Sequence, residues 1–246
     1  MIKLFRQIRQ KLLRDKQFSK YLLYAIGEIL LVVIGILIAL QINNWNEDRK
    51  NLEKENYYLN SIKTSISLSQ SELDRVITDA QHISSAADTL FLLLAHKNYD
   101  QLNGIFIDSL LFSAGDYSLI SLNDGGIQEI LNTGSLNLIR DDRIRIDLAS
   151  WNERMHQIRK FEGETENLSR NYLEYLKHFF DFRRYVTDSL GDGIIPEKKQ
   201  QLLSDPLLSN YLMNISGLHR SMYIRYSREK AVLDSLYIYI DKYLGK

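Results

Sequence analysis

Residues 22–40 read LLYAIGEILLVVIGILIAL, an apolar stretch in which Glu28 carries the only charge. A helix rises about 1.5 Å per residue, so this stretch spans roughly 30 Å, the thickness of the hydrocarbon core of a bilayer. Tyr21 and Tyr24 at one end and Trp45 at the other fall where aromatic rings prefer the lipid headgroups. The pattern predicts a transmembrane helix over residues 21–42.

The flanking residues predict the orientation of this helix. A signal peptide is the alternative, but it needs small residues at a cleavage site, whereas Gln41 and Asn43 follow here. Before the helix, seven bases face one acid, Asp15, and the positive-inside rule keeps such a segment in the cytoplasm. The bases are Lys3, Arg6, Arg9, Lys11, Arg14, Lys16 and Lys20. We expect residues 1–20 to be cytoplasmic and residues 43–246 to be periplasmic.

The basic N-terminal segment also has apolar residues at helical spacing. They are Leu4, Phe5, Ile8, Leu12 and Leu13. An amphipathic helix of this kind lies on the inner leaflet, with Lys3, Arg6, Arg9, Lys11 and Arg14 at the membrane interface. The alternative is a basic tail that only sets the topology.

Glu28 indicates a contact inside the membrane, because an ionisable group at that depth costs several kcal/mol unless it is paired, protonated or hydrated. Gly27, Leu31, Gly35 and Ala39 recur every four residues, and small residues let helices approach closely. We expect Glu28 and these four residues to contact a second helix, from another copy or from another membrane protein. Alternatively, Glu28 reaches the cytoplasmic interface and pairs with Lys20.

The remainder of the chain predicts an all-α fold. Only two prolines are present, and apolar residues recur at steps of three, four or seven from Leu52 to Leu94. Gly134 can end a short helix, and Asp141 or Asp142 can cap the next, whose apolar stripe runs from Ile144 to Phe179. Asp205 and Pro206 can begin the last helix. The predicted architecture is an N-terminal transmembrane helix continuing into an elongated antiparallel helical bundle, whose helix order stays open.

Catalytic, cofactor and metal sites are not predicted. The chain has no cysteine, and its net charge of zero argues against a nucleic-acid partner. Glu153 and His156 have the Glu-x-x-His spacing of di-iron bundles, but a second such pair is missing, so a solvated helix surface is expected. Glu162, Glu164 and Glu166 are likewise expected on a solvated face. Six tyrosines of the last helix are expected to rim the core with their hydroxyls in water: Tyr211, Tyr223, Tyr226, Tyr237, Tyr239 and Tyr243.

Three segments resemble a membrane-protein family of Bacteroidota described as a domain of unknown function, DUF6090. They are MIKLFRQIRQKLL at residues 1–13, KYLLYAIGEILLVVIGILIALQINNWNEDRK at 20–50 and ILNTGSLNLIRDDRIRIDLASW at 130–151. The resemblance implies a Gram-negative inner membrane and a periplasmic domain. It supplies no activity.

The function expected from these features is non-catalytic: the periplasmic bundle binds a partner or senses a condition as a sensor, scaffold or adaptor. Two alternatives stay open, an accessory subunit of a membrane complex or transporter that is held through Glu28, and a membrane-tethered enzyme. The expected partners are the lipid bilayer and either further copies of the chain or another membrane protein.

Overall fold

The computed structural model describes residues 18–96, 104–183 and 193–245. Within these ranges the predicted all-α class is confirmed, because the only strand-like pairing is an isolated bridge between Phe180 and Ile194. The α-helices are α1 (Phe18–Ala95), α2 (Gly104–Ala114), α3 (Gly125–Asn132), α4 (Asp142–Ala149), α5 (Trp151–Leu176), α6 (Lys199–Leu203) and α7 (Pro206–Leu244). Short 3-10 helices cover Ser135–Leu138 and Pro196–Lys198.

The chain divides into two compact units, residues 1–56 and residues 57–246. In the first unit, the described residues form the N-terminal part of α1. In the second unit, the rest of α1 packs with α2 to α7 as a helical bundle around buried apolar side chains. Buried positions of α1 follow the predicted steps of three and four: Leu59, Ile62, Ile66, Ser69, Leu73, Val76, Ala80, Ile83, Ala87, Leu90 and Leu94.

Polar contacts give the direction of the three long helices. Lys63 bonds to Asp241, Gln70 donates to Asp234 at 3.3 Å, and Lys230 donates to Asp74 at 2.5 Å. Rising numbers on α1 therefore meet falling numbers on α7, so these helices are antiparallel. Contacts between α5 and α7 follow the same rule, since Arg154 bonds to Glu229 whereas Tyr175 packs on Tyr211.

Helices α1 and α5 consequently run in the same direction, because both are antiparallel to α7. Between them, α2 to α4 return the chain to the starting end of the bundle. A segment without regular secondary structure, residues 116–124, joins α2 to α3, and we call it the strap. The strap and the short helices thus give the helix order, which the sequence analysis left open.

The predicted helix boundaries are mostly confirmed. Asp141 caps α4 by accepting from the amides of Arg143 and Ile144, and Asp205 caps α7 by accepting from Leu207. Gly134 has a positive φ of 67° just after α3, a conformation in which glycine has no Cβ penalty. These capping residues were recognisable because their chemistry is local.

The stripe from Ile144 to Phe179 does not belong to one uninterrupted helix. Ser150 separates α4 from α5, and its hydroxyl donates to the Asp147 carbonyl at 3.0 Å. The guanidinium of Arg154 reaches back to the same carbonyl at 2.9 Å. These bonds satisfy groups that the break frees. Ile146, which the stripe placed in the core, is 66% exposed.

Candidate functional site

The apolar stretch of α1 is exposed to its surroundings throughout. One 18-residue window has a mean hydropathy of 2.6, and none of it is buried. Its side chains are between 43% and 71% exposed for the large apolar residues from Leu22 to Ile42. Contiguous apolar surface of this extent needs a non-aqueous environment. By length and composition, this helix could span a membrane.

The five predicted helix-contact residues all lie in this part of α1. Gly27, Leu31, Gly35 and Ala39 are exposed, whereas Glu28 is half-buried. A Cβ added at Gly27 or at Gly35 would meet nothing within 4 Å, so there is open space beside both glycines. A contact with a second helix stays a prediction.

A shallow groove beside Glu28 was not recognised from the sequence. Its other lining residues are Ala25, Ile29, Val32 and Val33. Their spacing of three and four residues places them on one face of α1, which the four-residue repeat of small residues only partly overlaps. This face is a second candidate for a helix contact.

The structure describes only some of the residues that were predicted to lie at the membrane interface. Trp45 is 68% exposed at the end of the apolar stretch, and its place at the headgroup level stays a prediction. Lys3, Arg6, Arg9, Lys11 and Arg14 lie outside the described residues, and so do the side chains of Tyr21 and Tyr24.

In the bundle, the position of Glu162 corrects the prediction of a solvated face. Its carboxylate is 2% exposed and accepts from the Tyr226 hydroxyl at 2.8 Å and from the Ile120 amide at 2.6 Å. Arg159 lies 3.7 Å away at the rim. Burial first, and then the Glu162 carboxylate, raise the pKa of Tyr226. The predicted water-facing hydroxyl is therefore wrong for Tyr226.

Glu162 is one of several side chains that bind the backbone of the strap. Glu72 accepts from the Ser121 amide at 2.8 Å, and Ser69 accepts from the Asn123 amide at 2.9 Å. Arg75 donates to the Leu119 carbonyl at 3.0 Å. Backbone groups outside regular secondary structure need other hydrogen-bond partners, and here the side chains of helices supply them. The hydrogen bond from Arg75 is the largest cause of the lowered pKa of Glu72.

A buried ion pair joins α5 to α7. Arg154 donates to both carboxylate oxygens of Glu229, at 2.9 and 3.2 Å, and Glu229 is 3% exposed. Both bonds come from the Nε–H of Arg154, and charge-assisted bonds of this kind offset part of the cost of burying the Glu229 carboxylate. Sequence reasoning missed both residues, because a pattern of apolar residues cannot identify the polar residues that are buried among them.

The predicted Glu-x-x-His pair lies on the surface of α5. Glu153 and His156 are both exposed, and Glu153 accepts from Gln157 at 2.7 Å on the same helix. Across the described ranges, no group of three histidine or acidic side chains is arranged to hold a metal ion.

One cleft in the bundle carries acidic side chains. Its volume is about 260 Å³, and its lining residues are Asp79, His82, Ile83, Ser113, Asp116 and Tyr117. Burial, and then the neighbouring Asp79, raise the pKa of Asp116. Arg75 pairs with Asp79 at 2.8 Å, which neutralises part of this charge.

Comparison with known proteins gives one match. Residues 28–181 match a family described as a family of unknown function (DUF6090). The match begins at Glu28, covers the strap and α5, and stops before α7. No curated protein and no solved structure matches the chain.

Proposed function

The chain belongs to the DUF6090 family of unknown function, and we propose that it is a non-catalytic inner-membrane protein whose periplasmic bundle binds a partner or senses a condition. The main support for this proposal is the exposed apolar stretch of α1, because such a surface is unfavourable in water and favourable in a bilayer. The seven bases before this stretch favour a cytoplasmic N-terminus.

The absence of cysteine from the sequence makes the topology directly testable. Single cysteines at Gln10 and at the exposed Ser85 would be treated with a membrane-impermeant maleimide in spheroplasts. We expect Ser85→Cys to be labelled at once and Gln10→Cys only after lysis. The reverse pattern would invert the topology, and labelling of both in sealed spheroplasts would argue against a membrane span.

We propose that the partner is reached through the membrane helix, either in another copy of the chain or in a second membrane protein. Glu28 on the small-residue face supports this, because a carboxyl inside a helix contact is stabilised by hydrogen bonding there. An accessory subunit of a membrane complex is the second candidate function. In it, Glu28 meets a charge on a helix of the other protein.

Crosslinking in intact cells, followed by affinity purification and mass spectrometry, separates these possibilities. We expect Glu28→Leu to lose a specific crosslinked species that Glu47→Leu, a matched change at an exposed position of the same helix, retains. Retention in Glu28→Gln would indicate hydrogen bonding, whereas loss in both Glu28 variants would indicate charge pairing. If Glu28→Leu and Glu47→Leu behave alike, the helix contact is not the route to a partner.

A further inference from the structure

The buried apolar side chains of the bundle form two separate groups. The first core contains residues from Leu59 to Ala80 of α1, with parts of α3, α4, α5 and the C-terminal half of α7. The second core contains residues from Ile83 to Leu94 of α1, with parts of α2, α5, α6 and the N-terminal part of α7. The three long helices run through both cores.

Buried polar residues lie where the two cores meet along α1, α5 and α7, and we call them the polar layer. Its members are 1% to 8% exposed: Ser84, Glu162, Thr165, Ser169, Ser216 and His219. They continue the core spacing of their helices. In α5, for example, Ile158 of the first core and Tyr172 of the second core flank Glu162, Thr165 and Ser169 at steps of four, three, four and three. Three consecutive core positions of α5 are therefore polar.

Two residues of the polar layer bond to other elements: Glu162 accepts from the Tyr226 hydroxyl and the Ile120 amide, and Ser169 donates to the Gly115 carbonyl. Thr165 donates to the Glu162 carbonyl and Ser84 to the Gln81 carbonyl, each within its own helix. Ser216 donates outward to Asp88 at 2.5 Å. The ring of His219 makes no hydrogen bond with any residue that the structure describes. Burial lowers its pKa to about 4, so the ring is neutral near pH 7.

None of these hydrogen bonds joins a residue of the first core to a residue of the second core. Apolar burial stabilises in proportion to the area removed from water, and that area lies within each core. Hydrogen bonds that are closed within one helix survive when neighbouring helices separate, so they add nothing to the coupling. Cooperative units in proteins follow contiguous packing.

We propose that the two cores open independently, so that one half of the bundle can rearrange while the three long helices stay packed in the other half. This conformational device goes beyond the proposed function and does not depend on membrane attachment. A partner-binding or sensing bundle would use it as a two-state element, because a ligand can only shift states that differ in structure.

Native-state hydrogen exchange of the full chain in lipid nanodiscs tests the proposal with two core variants. Leu111→Ala creates a cavity in the second core and Ile130→Ala in the first, and both wild-type side chains are fully buried. We expect each variant to speed exchange at least about tenfold in its own core and by less than about twofold in the other. The milder variants Leu111→Val and Ile130→Val would be used if an alanine variant does not fold.

A layer variant then tests the cause. Ser84→Ala, Thr165→Val and His219→Leu together remove polarity without breaking a hydrogen bond between helices, and we expect them to couple the cores. Thr78→Val with His156→Leu is the control, because it makes similar changes at exposed positions. If either core variant speeds exchange equally in both cores, or if the layer variant leaves their independence unchanged, the proposal is wrong.

Discussion

Gly126 lies where α3 meets α1, and its missing side chain is what permits that approach. A Cβ at this position would lie 2.6 Å from the carbonyl carbon of Ser61. We expect Gly126→Ala to lower the free energy of unfolding by about 1–3 kcal/mol, since backbone atoms must move to admit the methyl group. Thermal unfolding followed by circular dichroism would measure the change.

Gly163 provides the matched control inside α5. A Cβ there meets nothing within 4 Å, and glycine in a helix interior is less favourable than alanine. Gly163→Ala should therefore raise the stability by about 0.5–1 kcal/mol. A loss of stability in both variants would mean that close approach is not the reason for glycine at position 126.

The buried contact between Glu162 and Tyr226 should be energetically coupled. Glu162→Leu removes the acceptor of the 2.8 Å bond and Tyr226→Phe removes its donor, and each leaves the other partner buried. We expect each to cost about 1–3 kcal/mol, and the double variant to cost less than the sum by about 0.5–3 kcal/mol. Urea unfolding of all four proteins would measure this, with Tyr239→Phe as the control because Tyr239 is 41% exposed. Strict additivity would contradict the coupling.

The buried ring of His219 should make the folded protein less stable as the pH falls. Its folded-state pKa of about 4 lies below the ordinary value of 6.5, so between these values the unfolded chain binds the proton and the folded chain does not. Stability is thus complete above about pH 6.5 and declines toward pH 4, by up to about 3 kcal/mol. The charged groups of the region are Glu162 in the layer, with Asp88 and Arg220 paired at its edge.

The measurement is the free energy of unfolding at pH 7 and at pH 5, for the wild type and for His219→Leu. We expect the difference between the two pH values to shrink in His219→Leu. The control His156→Leu, at an exposed position, should behave like the wild type. An unchanged difference in His219→Leu would show that the ring is already protonated in the folded state.

At the scale of elements, the two aspartate caps should differ in strength. Asp141 accepts only backbone amides of α4, whereas Asp205 caps α7 and also accepts from the Tyr175 hydroxyl at 2.8 Å. Asp141→Ala should cost about 1 kcal/mol. Asp205→Ala should cost about 1 kcal/mol more, because it also removes the bond between helices. In a Tyr175→Phe background the two costs should converge; a persistent gap would assign it to the cap itself.

Most of these elements could be predicted from the sequence because their signals are local. The stripe of α1, the caps at Asp141 and Asp205, and the stop at Gly134 each depend on residues within a few positions. The break at Ser150 was missed, since the spacing of apolar residues barely changes across it. The strap was missed as well. Its partners, among them Glu72 and Glu162, come from distant helices, and the sequence gives no sign of the pairing.

The candidate sites were predictable to different degrees for the same reason. A long apolar helix is marked by its composition alone, so residues 22–40 could be found directly, whereas the contact of Glu28 with a second helix stays a prediction. Buried polar groups cannot be found that way, because Glu162 and Glu229 look like surface glutamates until the helices are assembled. Only the antiparallel register of α5 and α7 brings Arg154 to Glu229.

For the whole molecule, the extent of the family match raises the question of what completes the bundle. The match stops at residue 181, before α7. Yet α7 contributes buried residues to both cores, including Leu212 and Ile215 in the second and Leu233 and Leu236 in the first. Without them, the stripes of α1 and α5 would face water, and helices gain most of their stability from such packing.

Truncation after Asp181 should therefore abolish cooperative folding of the bundle, although the whole matched segment is retained. The measurement is thermal unfolding together with limited proteolysis of the truncated protein, which should be cut throughout residues 57–181. Truncation after Leu244 is the control, since it leaves all of α7 in place and should unfold as the wild type does. If the protein ending at Asp181 unfolds cooperatively near the wild-type temperature, the matched segment is a domain on its own. The role of α7 would then be to cover it, and displacing α7 would become a means of exposing a groove between α1 and α5.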